Sequence, residues 1–231
     1  MDIHGIQKLT LLDYPGKVAC TIFSGGCNFR CPFCHNASLV IAEQMDSPLA
    51  EVEILSFLEK RKGLLDGVCL TGGEPLLQKD VHGFLRKIKS MGYSVKLDTN
   101  GYFPDKLKEI VLADTVDYIA MDIKNCEEKY ALTCGLNSID FSKIKESIDV
   151  LMSKKIQFEF RTTVVREFHN EASFEGIAKL IDGAENYYLQ SFVSSDNMIG
   201  TGFSGFTKEE LNRFADIVRP YVKNVSIRGI Y

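Results

Sequence analysis

"VACTIFSGGCNFRCPFCHN", residues 18–36, runs from an apolar stretch directly into three cysteines. Val18–Phe23 is short, continuous and rich in β-formers, which reads as a buried strand. Cys27, Cys31 and Cys34 follow with the spacing C-x3-C-x2-C. Structural zinc takes four protein ligands, and a simple ferredoxin cluster takes four cysteines. Three thiolates leave one position open, and an open coordination position marks chemistry rather than structure. A cluster of four irons held this way has one iron free to chelate a small molecule, and Arg30 inside the loop would favour the thiolate forms. Zinc completed by His35 is the alternative, weakened because His35 directly follows Cys34 and adjacent residues chelate one tetrahedral ion poorly.

Outward from this stretch the chain alternates strands and helices. "GVCLTGG", "YSVKLDTNG", "VDYIAMDIK", "IQFEFRTTVV" and "YYLQSF" read as strands two to six, and residues 224–229 as one more. Between them, Val81, Phe84, Leu85 and Ile88 mark one apolar helix face, as do Leu107, Ile110 and Val111; Ile144, Ile148 and Leu151; and Phe174, Ile177 and Ile181. Ser47 with Pro48 and Glu51 predicts a helix start, and Thr207 with Glu210 a capping box before Leu211, Phe214 and Val218. Six strand–helix units imply an α/β fold with parallel strands and outer helices. A full eight-unit barrel takes about 250 residues. At 231 residues, with a long first loop, the chain suits a partial (βα)6 barrel, with a flat doubly wound sheet as the alternative. The expected organisation is one domain over 1–231, with residues 1–17 as an N-terminal extension and 24–46 as the cluster-binding loop.

The bulk properties fit this reading. A hydrophobic content of 45% supports a sizeable core, and a net charge of −4 with scattered Lys and Arg gives no nucleic-acid stripe and no membrane-binding helix. No signal peptide and no membrane span are evident, so the expected location is the cytoplasm. Seven cysteines, an odd number, argue against a disulfide framework. Cys20 and Cys69 read as small buried hydrophobes, whereas Cys126 and Cys134 fall in an expected loop.

The unusual residues gather at strand ends: the cysteines after strand one, "TGGEP" (71–75) after two, "DTNG" (98–101) after three and "MDIK" (121–124) on four. Each alone could be a tight or polar turn. In parallel α/β folds, however, the carboxyl ends of the strands share one rim, so these motifs converge.

"CNFRCPFC" followed by "GGEP" on the next strand resembles the radical S-adenosylmethionine superfamily. "LDYPGK", "CHN", "DTNG" and "MDIK" resemble its activating enzymes of glycyl-radical enzymes, above all those of anaerobic ribonucleoside-triphosphate reductase, with pyruvate formate-lyase activating enzymes as relatives. The resemblance implies one [4Fe–4S] cluster on Cys27, Cys31 and Cys34, with S-adenosylmethionine on the open iron. Gly72, Gly73 and Glu74 would meet the ligand's amino group, and Phe33 and His35 its adenine. Asp98, Thr99 and Asp122 would lie near its methionyl end, where some activases also hold a monovalent cation. Lys124 would contact its carboxylate, and Arg161 would lie beside the nucleoside. The implied reaction is reductive cleavage to a 5′-deoxyadenosyl radical, which takes hydrogen from a glycine of a partner enzyme. That partner would be anaerobic ribonucleotide reductase, with a flavodoxin or ferredoxin as electron donor. The chain lacks the extra cysteine-rich module of many activases. A radical enzyme acting on a small molecule, similar to 7-carboxy-7-deazaguanine synthase, is the alternative, although such proteins follow the last cysteine with Asp-Thr where this chain has His35-Asn36. An iron–sulfur electron carrier is a third possibility, one that leaves the missing fourth cysteine unexplained.

Overall fold

The computed structural model describes residues 1–153 and 156–230. Eight strands form a single sheet whose spatial order follows the chain: β1 (Ile3–Thr10), β2 (Ala19–Ser24), β3 (Gly67–Gly72), β4 (Ser94–Thr99), β5 (Tyr118–Asp122), β6 (Gln157–Val164), β7 (Asn186–Ser191) and β8 (Asn224–Arg228). From β2 to β8 every neighbouring pair is parallel. β1 runs antiparallel to β2. β1 and β8 remain edges, so the sheet is not closed.

The expected strands are present, and residues 224–229 supply a seventh parallel strand against β7. The surprise lies in the extension. β1 occupies residues 3–10 of it, with Ile3 buried and Gln7–Leu9 exposed. Its irregular register against β2 hides the two-residue alternation of an ordinary strand.

The helices are α1 (Ala37–Val40), α2 (Glu51–Glu59), α3 (Val81–Ser90), α4 (Pro104–Leu112), α5 (Glu127–Thr133), α6 (Phe141–Met152), α7 (Glu171–Leu180) and α8 (Lys208–Val218). Thr207 and Glu210 do form a capping box at α8. Ser47 does not cap α2, which starts at Glu51 with Ala50 at its N-cap. Leu49 instead donates its N–H to Ile3 O at 2.7 Å, so residues 47–49 stay extended along β1. Cys126 and Cys134 do not lie in a loop but flank α5, at its N-cap and C-cap.

Alternation in the strands separates two environments. Outward-facing Val68, Leu70, Val95, Leu97, Ile119, Phe160 and Leu189 are fully buried together with Phe84, Ile88, Leu107, Ile144, Phe174 and Leu211 from the helices. Burying a side chain of this kind contributes roughly 1.5–3 kcal/mol. Cys20 belongs to the same core, as expected. The inward positions include the polar and charged Thr21, Lys96, Asp98, Asp122, Glu159, Arg161 and Thr163. Among the described residues no helix is long and apolar enough to cross a membrane.

Candidate active site

The cysteine loop after β2 is fastened at alternate residues to segments that follow β3, β4, β5 and β7. Gly26 O accepts from Glu74 N (2.8 Å), past β3, and Asn28 Oδ1 accepts from Asn100 Nδ2 (2.9 Å), past β4. Arg30 N donates to Cys134 O (2.9 Å), past β5, and Pro32 O accepts from Gly200 N (2.7 Å), past β7. The tie at β3 requires glycine. A Cβ on Gly73 would stand 2.0 Å from Gly26 O, and Gly72 has φ +121° with its Cβ position 2.4 Å from Ser24 N.

These fastenings enclose a cavity of about 230 Å³. It is lined by Cys27, Cys31, Cys34, Phe33, His35, Gly72, Gly73, Asp98, Thr99, Asp122, Lys124 and Arg161, so the four motifs do share one rim. Phe29, Asn36, Thr71 and Asn100, which lie inside the motifs quoted above but carried no assigned role, complete the wall together with Thr163 and Gln190, which lie outside those motifs. Thr163 and Gln190 are cross-strand partners on β6 and β7, a pairing that the inward register of those strands predicts once the strands are aligned.

Glu74 is the expected site residue that does not line the cavity. It is fully buried, and its carboxylate accepts from Leu76 N (2.9 Å), Thr99 Oγ1 (2.8 Å) and Asn100 N (2.6 Å). Burial pushes its pKa up to about 7 despite those three donors. Its carboxylate thus joins the β3 and β4 rims from behind the cavity. Arg30 also departs from expectation: its Nη1 bonds to the Cys27 and Phe29 carbonyls, and the cation facing the thiols is Lys124.

A chain of five alternating charges crosses the cavity floor. Lys96 pairs with Asp98, Asp98 with Arg161 (3.0 Å), Arg161 with Asp122, and Asp122 with Lys124 (2.8 Å). Burial alone would raise the Asp122 carboxyl pKa, but the facing Arg161 and Lys124 charges hold it far below the usual range. Asp98 is lowered in the same way by Arg161 and Lys96. Three cations against two anions leave one surplus positive charge beside the cavity. A monovalent cation near Asp98, Thr99 and Asp122 would find both carboxylates already paired with ammonium and guanidinium groups.

The donor set distinguishes a cluster from zinc. Among the described residues no three His, Cys, Asp or Glu side chains converge as ligands of a single ion. His35 is committed elsewhere: its ring stacks on Phe192 at 5.4 Å, and Nε2 lies 2.6 Å from Val193 O. A four-iron cluster is held by thiolates, and hydrogen-bond donors toward sulfur tune its potential. Such donors are present: Phe29 N reaches Cys27 Sγ (3.4 Å), as does Asn100 Nδ2 (3.8 Å), and the buried Asn28 Nδ2 has no protein partner. Burial pushes Cys27 up to about 12 and raises Cys34. Cys31 is instead lowered, with the neighbouring Cys134 thiol as the largest cause.

Comparison with known proteins agrees with this arrangement. Residues 21–181 match the family model of the radical SAM superfamily. A Methanocaldococcus jannaschii protein whose name assigns it to the glycyl-radical enzyme activating enzymes is 33% identical over 99% of this chain and 96% of its own length. The chain belongs to the radical S-adenosylmethionine superfamily, and within it to the activating enzymes of glycyl-radical enzymes. Members of the superfamily use a [4Fe–4S] cluster and S-adenosylmethionine, with which the three cysteines are compatible. Pyruvate formate-lyase-activating enzyme of Clostridium pasteurianum is 32% identical over 64% of each chain. The fold recurs in a crystallised domain of pyruvate-formate lyase-activating enzyme from Bacteroides vulgatus (TM-score 0.57, 17% identity, 71% of this chain and 99% of that one). It recurs again in Streptococcus suis SuiB (TM-score 0.71, 13% identity, 91% of this chain and 48% of that one).

Proposed function

We propose that this activase installs a glycyl radical on an anaerobic ribonucleoside-triphosphate reductase, working in the cytoplasm as a single domain with electrons from a flavodoxin or ferredoxin. The observation that carries the reading is the meeting of Cys27, Cys31 and Cys34 with the Asp98–Arg161–Asp122–Lys124 chain around one cavity. The likeness of "LDYPGK", "CHN", "DTNG" and "MDIK" to the reductase activases supports the choice of partner.

Cys27, Cys31 and Cys34 would hold the cluster, whose one iron without a protein ligand would be open to S-adenosylmethionine. When bound, the pair supplies a 5′-deoxyadenosyl radical able to take hydrogen from a glycine Cα–H. Lys124, which ends the charge chain and lines the cavity, would face the ligand's carboxylate. Asp98, Thr99 and Asp122 stand along the methionyl end, Arg161 beside the nucleoside, and Phe33 and His35 near the adenine. Gly72 and Gly73 allow close approach of the ligand's amino end, while Glu74 fixes the turn behind them. The wall excludes water from the reacting carbon and orients the incoming glycine.

The deciding experiment is anaerobic spin resonance with the reductase, reduced activase and S-adenosylmethionine. A glycyl doublet on the reductase is expected. 5′-Deoxyadenosine formation without that doublet, together with a doublet on a different partner, would replace the client. One relative favours a second reading: 7-carboxy-7-deazaguanine synthase of Thermoplasma acidophilum is 24% identical over 83% of this chain. Turnover of a small molecule in the absence of any protein partner would establish that reading instead.

A further inference from the structure

Asn100 directly follows β4, is buried and lines the cavity beside Cys27. Its backbone N–H donates to Glu74 Oε2 at 2.6 Å. Its side chain is held at both ends: Oδ1 accepts from Tyr102 N at 3.0 Å, and Nδ2 donates to Asn28 Oδ1 at 2.9 Å. The same Nδ2 lies 3.8 Å from Cys27 Sγ, within hydrogen-bond reach of a sulfur acceptor. These partners fix which way the amide faces. Turned over, it would set its NH2 group against the Tyr102 N–H, and no rearrangement of Asn28 would restore that bond. The N–H side of Asn100 is therefore directed at Cys27 by its surroundings. Asn28 carries the pattern one step further. Its Oδ1 is taken by Asn100, and its buried Nδ2 is a donor without a protein acceptor. Buried donors left unpaired are uncommon in native proteins. An acceptor that the polypeptide does not supply fits beside Cys27, and cluster sulfur is such an acceptor.

We propose that Asn100 is a positioning residue for the cluster: its side-chain amide, clamped between Tyr102 N and Asn28 Oδ1, donates N–H to the Cys27 sulfur and raises the cluster's reduction potential. The proposal rests on the reading that Cys27, Cys31 and Cys34 hold a four-iron cluster. Hydrogen bonds to the sulfurs are among the factors that set a cluster's potential. An N–H directed at a ligating sulfur interacts best with the state that carries more negative charge, which is the reduced one. Losing it makes the cluster harder to reduce. Through Glu74, which also accepts from Thr99 Oγ1 at 2.8 Å, Asn100 ties Cys27 to the ends of both β3 and β4.

The test uses the full chain, reconstituted anaerobically, with Asn100→Leu and Asn100→Asp. Leu is close to Asn in shape and removes the donor. Asp keeps the acceptor for Tyr102 N and turns a carboxylate oxygen toward Cys27. The readouts are iron content and the midpoint potential, the latter followed by spin resonance without S-adenosylmethionine at about pH 8, where the introduced carboxylate is ionised. Wild-type iron content is expected in both variants. In Asn100→Leu the reduction equilibrium should become less favourable by about tenfold, equivalent to about 59 mV for one electron. In Asn100→Asp, where a negative charge replaces the donor, it should fall further. A merely structural role would lower the iron content and leave the potential of the remaining clusters in place. A wild-type potential in Asn100→Leu would overturn the proposal, as would a potential in Asn100→Asp no lower than in Asn100→Leu, or iron loss in both variants. A wild-type chain that takes up no cluster would overturn the underlying reading instead.

Discussion

Glu159 and Arg161 are two residues apart on β6 and share its inner face, yet they sit in different kinds of surroundings. Glu159 is fully buried and saturated: Tyr118 Oη donates at 2.7 Å, and Arg228 donates through both terminal nitrogens at 2.7 and 2.9 Å. Arg228 in turn lies over the Tyr188 ring, 3.4 Å from its centroid. Arg161, one layer higher, bridges Asp98 and Asp122 and also lines the cavity. Both are ion pairs inside one barrel. The lower one is closed on itself, whereas the upper one presents a net charge to an incoming molecule. Burial of charge alone does not separate scaffold from active site; a charge facing a cavity does.

The largest expected effect lies above both layers. Replacing Cys27, Cys31 or Cys34 with Ala should abolish 5′-deoxyadenosine formation, measured by chromatography after anaerobic reduction. Normal rates in Cys31→Ala would undo the ligand assignment. Next, Arg161→Ala should lower that rate by about a hundredfold through misplacement of the nucleoside. Arg228→Ala should leave the chemistry intact but cost about 2 kcal/mol in denaturant unfolding, because Glu159 loses its charged partner. If the two variants exchanged phenotypes, the division between layers would be wrong.

Smaller effects sharpen the same contrast. Glu74→Gln places an amide among three N–H and O–H donors, and a cost of about 1–2 kcal/mol is expected, with iron content retained. Loss of the cluster in that variant would give Glu74 a more direct role. Acid should distinguish the layers as well. Asp98 and Asp122 have carboxyls held below their ordinary values, so their contribution is present above about pH 4 and is lost as the pH falls below it. Melting temperature followed down through that range should drop less steeply in Arg161→Ala, where the depression is relieved.

Much of this was legible beforehand because strong local patterns coincide with the parallel strands, and strand ends in such folds share a rim. Three kinds of feature were hidden. β1 has exposed residues and an irregular register, so it lacks a readable period. α5 is a seven-residue helix, too short to display an apolar face. The roles of Glu74, Lys96 and Arg228 depend on which side chain stands opposite, which only the assembled sheet decides. Glu74 is instructive: its place in the motif pointed at the ligand, but the chain turns at Gly73, and the carboxylate swings behind the wall to meet Asn100 N.

The ties at residues 26, 28, 30 and 32 reach partners near positions 74, 100, 134 and 200, in ascending order. The cysteine loop therefore gathers segments that are spread from residue 74 to residue 200. A chain cut short before Gly200 would lack the fastening at Pro32, and the pocket beside the three thiols would stand open there.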